Sequence, residues 1–161
     1  MPGIDITVTG ERENARRIFA VGERGMDMRP IFEVLSEDWE GIVDAHFESE
    51  GQRGGRRWNR LSQSRIDQKA REDLDPRILH ATLALRKSLT VRGAKGSIRR
   101  ITPHTMLRGT SIFYGEYHHD GTARLPMRPL YVFKHSDRAA WADVMSDFVI
   151  SGRVRSPTRW S

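Results

Sequence analysis

The residues best equipped for chemistry in this chain are histidines and acids near its middle: His104, Glu116, His118, His119, Asp120 and, further on, His135. Histidine and aspartate together suit a metal ion, and His118 with Glu116 has the residue types for general acid–base work. The surroundings argue against both. His118 and His119 are neighbours, so on an expected strand end their side chains diverge. No nucleophile or oxyanion-forming loop accompanies Glu116 and His118. No Gly-rich phosphate loop follows an expected strand, no G-x-S-x-G occurs, and cysteine is absent. The expectation is therefore no catalytic site, no metal and no cofactor. His46, on an apolar helical stripe, reads as a histidine satisfied at the edge of the core.

Charge is the second resource. The net charge is +6 over 161 residues. Residues 1–50 hold 5 Lys/Arg against 12 Asp/Glu, and residues 51–161 hold 22 against 9. A chain polarised this way can stack head to tail with its copies or face a polyanion. Solvated faces are the plainer alternative. Residues 53–71 carry seven cations and one acid, with Trp58 among them as either a stacking aromatic or, more simply, a core anchor. Residues 86–108 carry seven Lys/Arg and no acid. Arg92, Lys95, Arg99 and Arg100 there are the candidates for phosphate contact.

The third resource is shape. The stretch 111–133 opens on the β-favouring Ile112, Phe113 and Tyr114 and turns at Asp120-Gly121. It stiffens at Pro126-Met127-Arg128-Pro129 and ends on Leu130, Tyr131, Val132 and Phe133. That is a rigid arm more than a pocket. An intramolecular turn is its alternative.

The elements that hold these residues follow from period and punctuation. Ile4, Ile6 and Val8 alternate as a short strand. Residues 11–21 suit a short helix with Ala15, Ile18 and Phe19 on one side, broken by Gly22 and Gly25. Residues 29–50 give the clearest helix, with Pro30 in its first turn. Its stripe is Ile31, Leu35, Trp39, Ile42 and His46, with Phe32 and Val43 at the edge. Residues 51–57 read as a flexible basic loop and 62–73 as a polar stretch. Asp75-Pro76 predicts a helix start, and Ile78, Thr82, Leu85 and Leu89 extend that helix to 89. Thr90 to Arg92 lead into a strand, 94–96 is a turn and 97–101 the returning strand, which should make the turn a basic hairpin tip. A further strand begins at 105–107 and continues, after Gly109, into Ile112. Ser136 is expected to cap a last helix with Ala140, Trp141, Val144, Met145, Phe148 and Val149 on its stripe, ended by Gly152.

The fold class expected is α+β: a small, mostly antiparallel sheet packed with one long N-terminal helix and two further helices. Residues 1–152 form one domain, and 153–161 an extended basic tail. No apolar run approaches a membrane span, and no signal pattern opens the chain. A cytoplasmic origin fits, as does a particle assembled in the cytoplasm.

The chain resembles the phage virion-morphogenesis and tail-completion family, small neck proteins of long-tailed phages. Trp58-Asn59-Arg60-Leu61 matches an aromatic-x-x-Leu. The run from Ile78 to Ser88 matches Ile-Leu-x-x-Thr-Gly-x-Leu-x-x-Ser. Gly109-Thr110, Tyr114-Gly115, His118 to Gly121, and Pro126-Met127-Arg128-Pro129-Leu130 follow in order. Leu83 stands where the family usually has glycine, so the helix is expected to run on there. Gly115 replaces the usual alanine.

The resemblance implies a structural virion part at the head–tail interface, in a closed homo-oligomeric ring on the order of six to twelve copies. Its neighbours would be portal or head-completion proteins and the tail tube or tail terminator, with non-specific double-stranded DNA in the lumen. Tyr114, His118, Gly121, Pro126, Arg128, Pro129 and Trp160 are the expected subunit-interface residues. Arg128 is expected to pair with an acid of the neighbour's first helix. The rival reading is a free, sequence-neutral nucleic-acid-binding protein.

Overall fold

The computed structural model describes residues 11–158. The strand expected at 4–8, and Trp160, lie outside the described residues. Six α-helices and one two-stranded antiparallel sheet make a mixed α+β fold among the described residues.

Two consecutive helices open the described residues, and the first is longer than the short helix expected over 11–21. α1 (Glu11–Met26) runs through Gly22 and Gly25 instead of breaking there. Arg24 secures it by donating to the carbonyls of Val149 and Ile150, both at 2.8 Å. α2 (Arg29–Glu48) is the spine, with Pro30 in its first turn. Its predicted stripe, Ile31, Leu35, Trp39, Ile42 and His46, is buried throughout, as are Phe32, Val43 and Phe47. The first half of that face packs on Val144 and Phe148, the second on Trp58, Ile78, Leu85, Leu89 and Leu130. Each such apolar side chain contributes about 1.5–3 kcal/mol by leaving water.

α2 ends where Glu50 and Gly51 adopt positive φ, 48° and 90°. Gly51 is required twice over. Its backbone is left-handed, and a Cβ there would lie 2.6 Å from Trp58 Cδ1. The basic loop is tied down rather than flexible: Gln52–Gly54 forms a 3₁₀ turn, and Arg53 donates to Asp137 at 2.7 Å and to the Val132 carbonyl at 3.1 Å. The polar stretch that follows carries α3 (Gln63–Arg71).

The helix expected over 76–89 begins only at α4 (Ala84–Thr90). Leu79 and Leu83 have φ of 60° and 56°. Side chains take the backbone groups a helix would use: Lys69 Nζ donates to the Asp75 and Arg77 carbonyls, Glu50 accepts from Ile78 N–H, and the His80 ring donates to the Ile78 carbonyl. Such competition favours irregular backbone.

β1 (Ser97–Ile101) and β2 (Met106–Thr110) pair with Ile98 opposite Gly109 and Arg100 opposite Leu107. Their turn is at Thr102 and Thr105, so the basic turn at 94–96 links α4 to β1 and is not the hairpin tip. The β-favouring run from Ile112 opens α5 (Tyr114–Asp120), a helix where a strand was expected. α6 (His135–Ser151) completes the fold. Lys134 stands at its N-cap in place of Ser136, and Asp137 accepts from Lys134 N–H at 2.9 Å. Gly152 ends it in the left-handed region, as predicted. Among the described residues no helix is long and apolar enough to cross a membrane.

Candidate functional site

Local chemistry sets the path of the 111–133 stretch. Thr110 Oγ1 accepts from Ile112 N–H at 3.1 Å, which turns the chain out of β2. α5 then packs closely through Gly115, where a Cβ would lie 3.2 Å from Leu85 Cδ1. Residues four apart share a helix face, so Tyr114 and His118 meet edge to face, 6.2 Å between centroids. Glu116, two residues from His118, projects elsewhere and is exposed. The proposed acid–base pair is therefore split across the helix.

Gly121, with φ of 76°, reverses the chain, and a Cβ there would meet Met127 N at 2.9 Å. The arm returns along α5: Arg128 N–H donates to the His118 carbonyl at 2.7 Å, and Leu130 N–H to His119 Nδ1 at 3.1 Å. The Pro129 carbonyl accepts from Trp58 Nε1 and from His46 Nε2, each at 2.9 Å. This fixes His46 with its proton on Nε2 and leaves Nδ1 enclosed without a partner. Trp58 is thus a core anchor with a satisfied N–H.

Arg128 is 5% exposed and donates to the carbonyls of Asn59 and Arg60 at 3.0–3.3 Å. The carboxylate of a neighbouring subunit, its expected partner, is replaced by backbone of the same chain. The prolines pre-set the arm for docking at home. Burial lowers the pKa of Arg128. It also lowers that of His118, with the nearby Arg128 charge adding to the effect. His46 is lowered by burial as well, against the opposing bond to Pro129.

Four of the expected interface residues converge. Tyr114, His118, Pro126 and Arg128 line one cleft of about 710 Å³. Gly121 and Pro129 shape the arm and do not line it. Arg60, Arg65, Lys69 and Arg124 complete the cleft's cationic wall. Sequence reasoning did not select them as site residues. Three of the four belong to the 53–71 basic run, which was the available signal.

The other basic run is arranged differently. Arg86 pairs with Asp44 at 2.7 Å and with Glu48. Arg99 pairs with Glu33 and reaches Ser36 Oγ at 3.2 Å, while Arg92 pairs with Glu33 at 3.1 Å. Arg108 meets Glu40 at 2.5 Å and sits 4.8 Å over the Trp39 ring. Four of the six acids of α2 are therefore answered by cations of the same chain. Of the DNA-channel candidates, Lys95 and Arg100 are exposed and make no ion pair among the described residues, whereas Arg92 and Arg99 are engaged.

Among the described residues no group of three His, Asp or Glu side chains is placed to hold a metal ion. No family model, curated protein or solved structure matches the chain.

Proposed function

We propose that this chain is a structural virion protein of the phage head–tail interface: a neck or tail-completion subunit, assembled in the host cytoplasm as a ring that joins the capsid connector to the tail around the DNA. The observation that carries the reading is the uncovered apolar side of α1. Side chains 12–19 are all exposed, Ile18 at 72% and Phe19 at 74%, and Ile150 at the end of α6 is 67% exposed. Ile18, Ala20, Val21 and Ile150 share a groove of about 610 Å³. Exposed apolar patches of this kind mark surfaces that another protein covers. A heterologous contact, in which α1 of one copy meets a different face of the next, closes into a ring when the rotation between copies divides a full turn. The motif resemblance supplies the place of that ring. Lys95 and Arg100 supply sequence-neutral attraction for passing DNA. No catalytic role is assigned to His118.

The test is electron microscopy of virions whose copies of this chain carry a small label. Label in a collar between capsid and tail is the expected result, and its symmetry gives the copy number. Label absent from virions, with the chain left in the lysate, overturns the reading. Tight, salt-sensitive DNA binding by the monomer would then favour the nucleic-acid-binding alternative.

A further inference from the structure

The cleft beneath the Pro126–Pro129 arm is walled by five cations, Arg60, Arg65, Lys69, Arg124 and Arg128, and among the described residues by no aspartate or glutamate. Two of the five are withdrawn from water, Lys69 at 3% and Arg128 at 5% exposure. Neither meets a carboxylate among the described residues. Lys69 Nζ donates to the Asp75 and Arg77 carbonyls at 2.7 and 2.6 Å, and Arg128 to those of Asn59 and Arg60. The acids that act on Lys69 through space, Asp75 and Glu50, are already bound by Arg77 and Arg57. His118, on the same wall, keeps Nδ1 enclosed without a partner. Buried charge without a counter-charge is costly, so this wall gains from any anion that enters.

Between the cations the floor is apolar, formed by Leu61, Leu79, Leu85 and Leu125. A ligand matched to it carries carboxylates and apolar side chains close together. Phosphates of duplex DNA lie on the outside of a wide cylinder; they reach the rim of such a cleft but not its floor.

We propose that this cleft binds an acidic–apolar peptide segment of another protein, its carboxylates against Arg60, Arg65 and Arg124 and its apolar side chains on Leu79 and Leu85. The proposal rests on the lining of the cleft itself and does not require the ring. The occupant supplies the missing counter-charge, and charge complementarity of this kind sets specificity and encounter rate.

A fluorescein-labelled peptide of alternating glutamate and leucine, titrated against the full chain with anisotropy as readout, tests it. Saturable binding is expected. It should weaken by about tenfold or more in the double variant Arg60→Glu/Arg124→Glu, and similarly when serine replaces the leucines. Arg153→Glu, after α6 and outside the cleft, should leave it unchanged. Arg60 and Arg124 are exposed, and circular dichroism checks that the double variant folds. Absence of binding at about 1 mM peptide, or equal binding by the double variant, overturns the proposal. So does an oligothymidylate of equal length that displaces the peptide and binds more tightly. Labelled collars without peptide binding would sink this proposal alone. Peptide binding with label absent from virions would sink the ring alone.

Discussion

Two basic regions of similar charge density have opposite electrostatics once folded. Four of the seven cations of 86–108 turn onto α2, where Arg86, Arg92, Arg99 and Arg108 meet Asp44, Glu48, Glu33 and Glu40. Around the arm, Lys69 and Arg128 are buried on carbonyls and meet no carboxylate among the described residues. The 53–71 run is itself divided. Arg53 and Arg57 pair with Asp137 and Glu50 and fasten the fold, while Arg60, Arg65 and Lys69 line the cleft. A count of charges along a chain thus measures potential only after the pairing is known. The paired region is structural, and the unpaired one is where an outside anion gains most.

The largest effect that sharpens this contrast is at Arg108. Its side chain is 3% exposed, and it is held by Glu40 and the Trp39 ring. Removing Arg108 strands Glu40, whose side chain is 21% exposed, and uncovers the Trp39 ring, so Arg108→Ala should cost about 3 kcal/mol, the low end for breaking a buried pair. The measurement is urea unfolding followed by tryptophan fluorescence. Arg128→Met strands only two carbonyls, a loss of about 1–3 kcal/mol, and it also relieves the cleft of one uncompensated charge. If Arg128→Met costs as much as Arg108→Ala, the distinction between paired and unpaired regions fails.

Acid separates the regions next. His46 and His118 have pKa values depressed in the fold, by burial first. The unfolded chain therefore binds more protons below about pH 6.5, the ordinary histidine value. Stability is full above that value and falls as pH drops through it toward the folded values. In the paired region Glu48 is held below the usual carboxylate range by its bond to Arg86, so it does not take up protons over this window. Denaturation midpoints should thus fall between pH 7 and pH 5. His118→Gln should flatten that slope, because it removes one of the two groups that must charge. An unchanged slope in both His118→Gln and His46→Gln would assign the loss to other groups.

Legibility in the sequence followed the range of the forces involved. The α2 stripe was readable because one face of a regular helix meets one core, so period alone marks it. Gly152 was readable because a left-handed cap favours glycine locally. β1 lies where its alternation placed it, but β2 ends at Thr110, whose hydroxyl takes Ile112 N–H and redirects the chain. At the site, the arm's rigidity was legible from its prolines, but its direction was not. Arg128 turns inward because the Asn59 and Arg60 carbonyls wait some 70 residues earlier in the chain. No local pattern carries that information. The same holds for 76–83, where apolar spacing suggests a helix but Lys69 and Glu50, from other elements, take its backbone groups.

Leu83 is the joint between the regions: Leu79, Ala81 and Thr82 of the cleft lining lie before it, and Arg86, paired to α2, lies after. It occupies a left-handed conformation, φ 56°, so the helix does not run on through it as expected. Leucine there costs about 1–2 kcal/mol that glycine does not incur. This sets the sign of a small effect. At position 83, Leu83→Gly should be more stable than Leu83→Ala by about 1 kcal/mol, since both lose the same burial and only alanine keeps the strain. In a continuous helix the order reverses, with alanine better by about 1 kcal/mol. That reversed order is expected one residue on, where Ala84 opens α4 and Ala84→Gly should destabilise. Paired urea midpoints at the two positions read the turn directly. An alanine preference at 83 would join 76–90 into one helix and remove the floor on which the cleft is built.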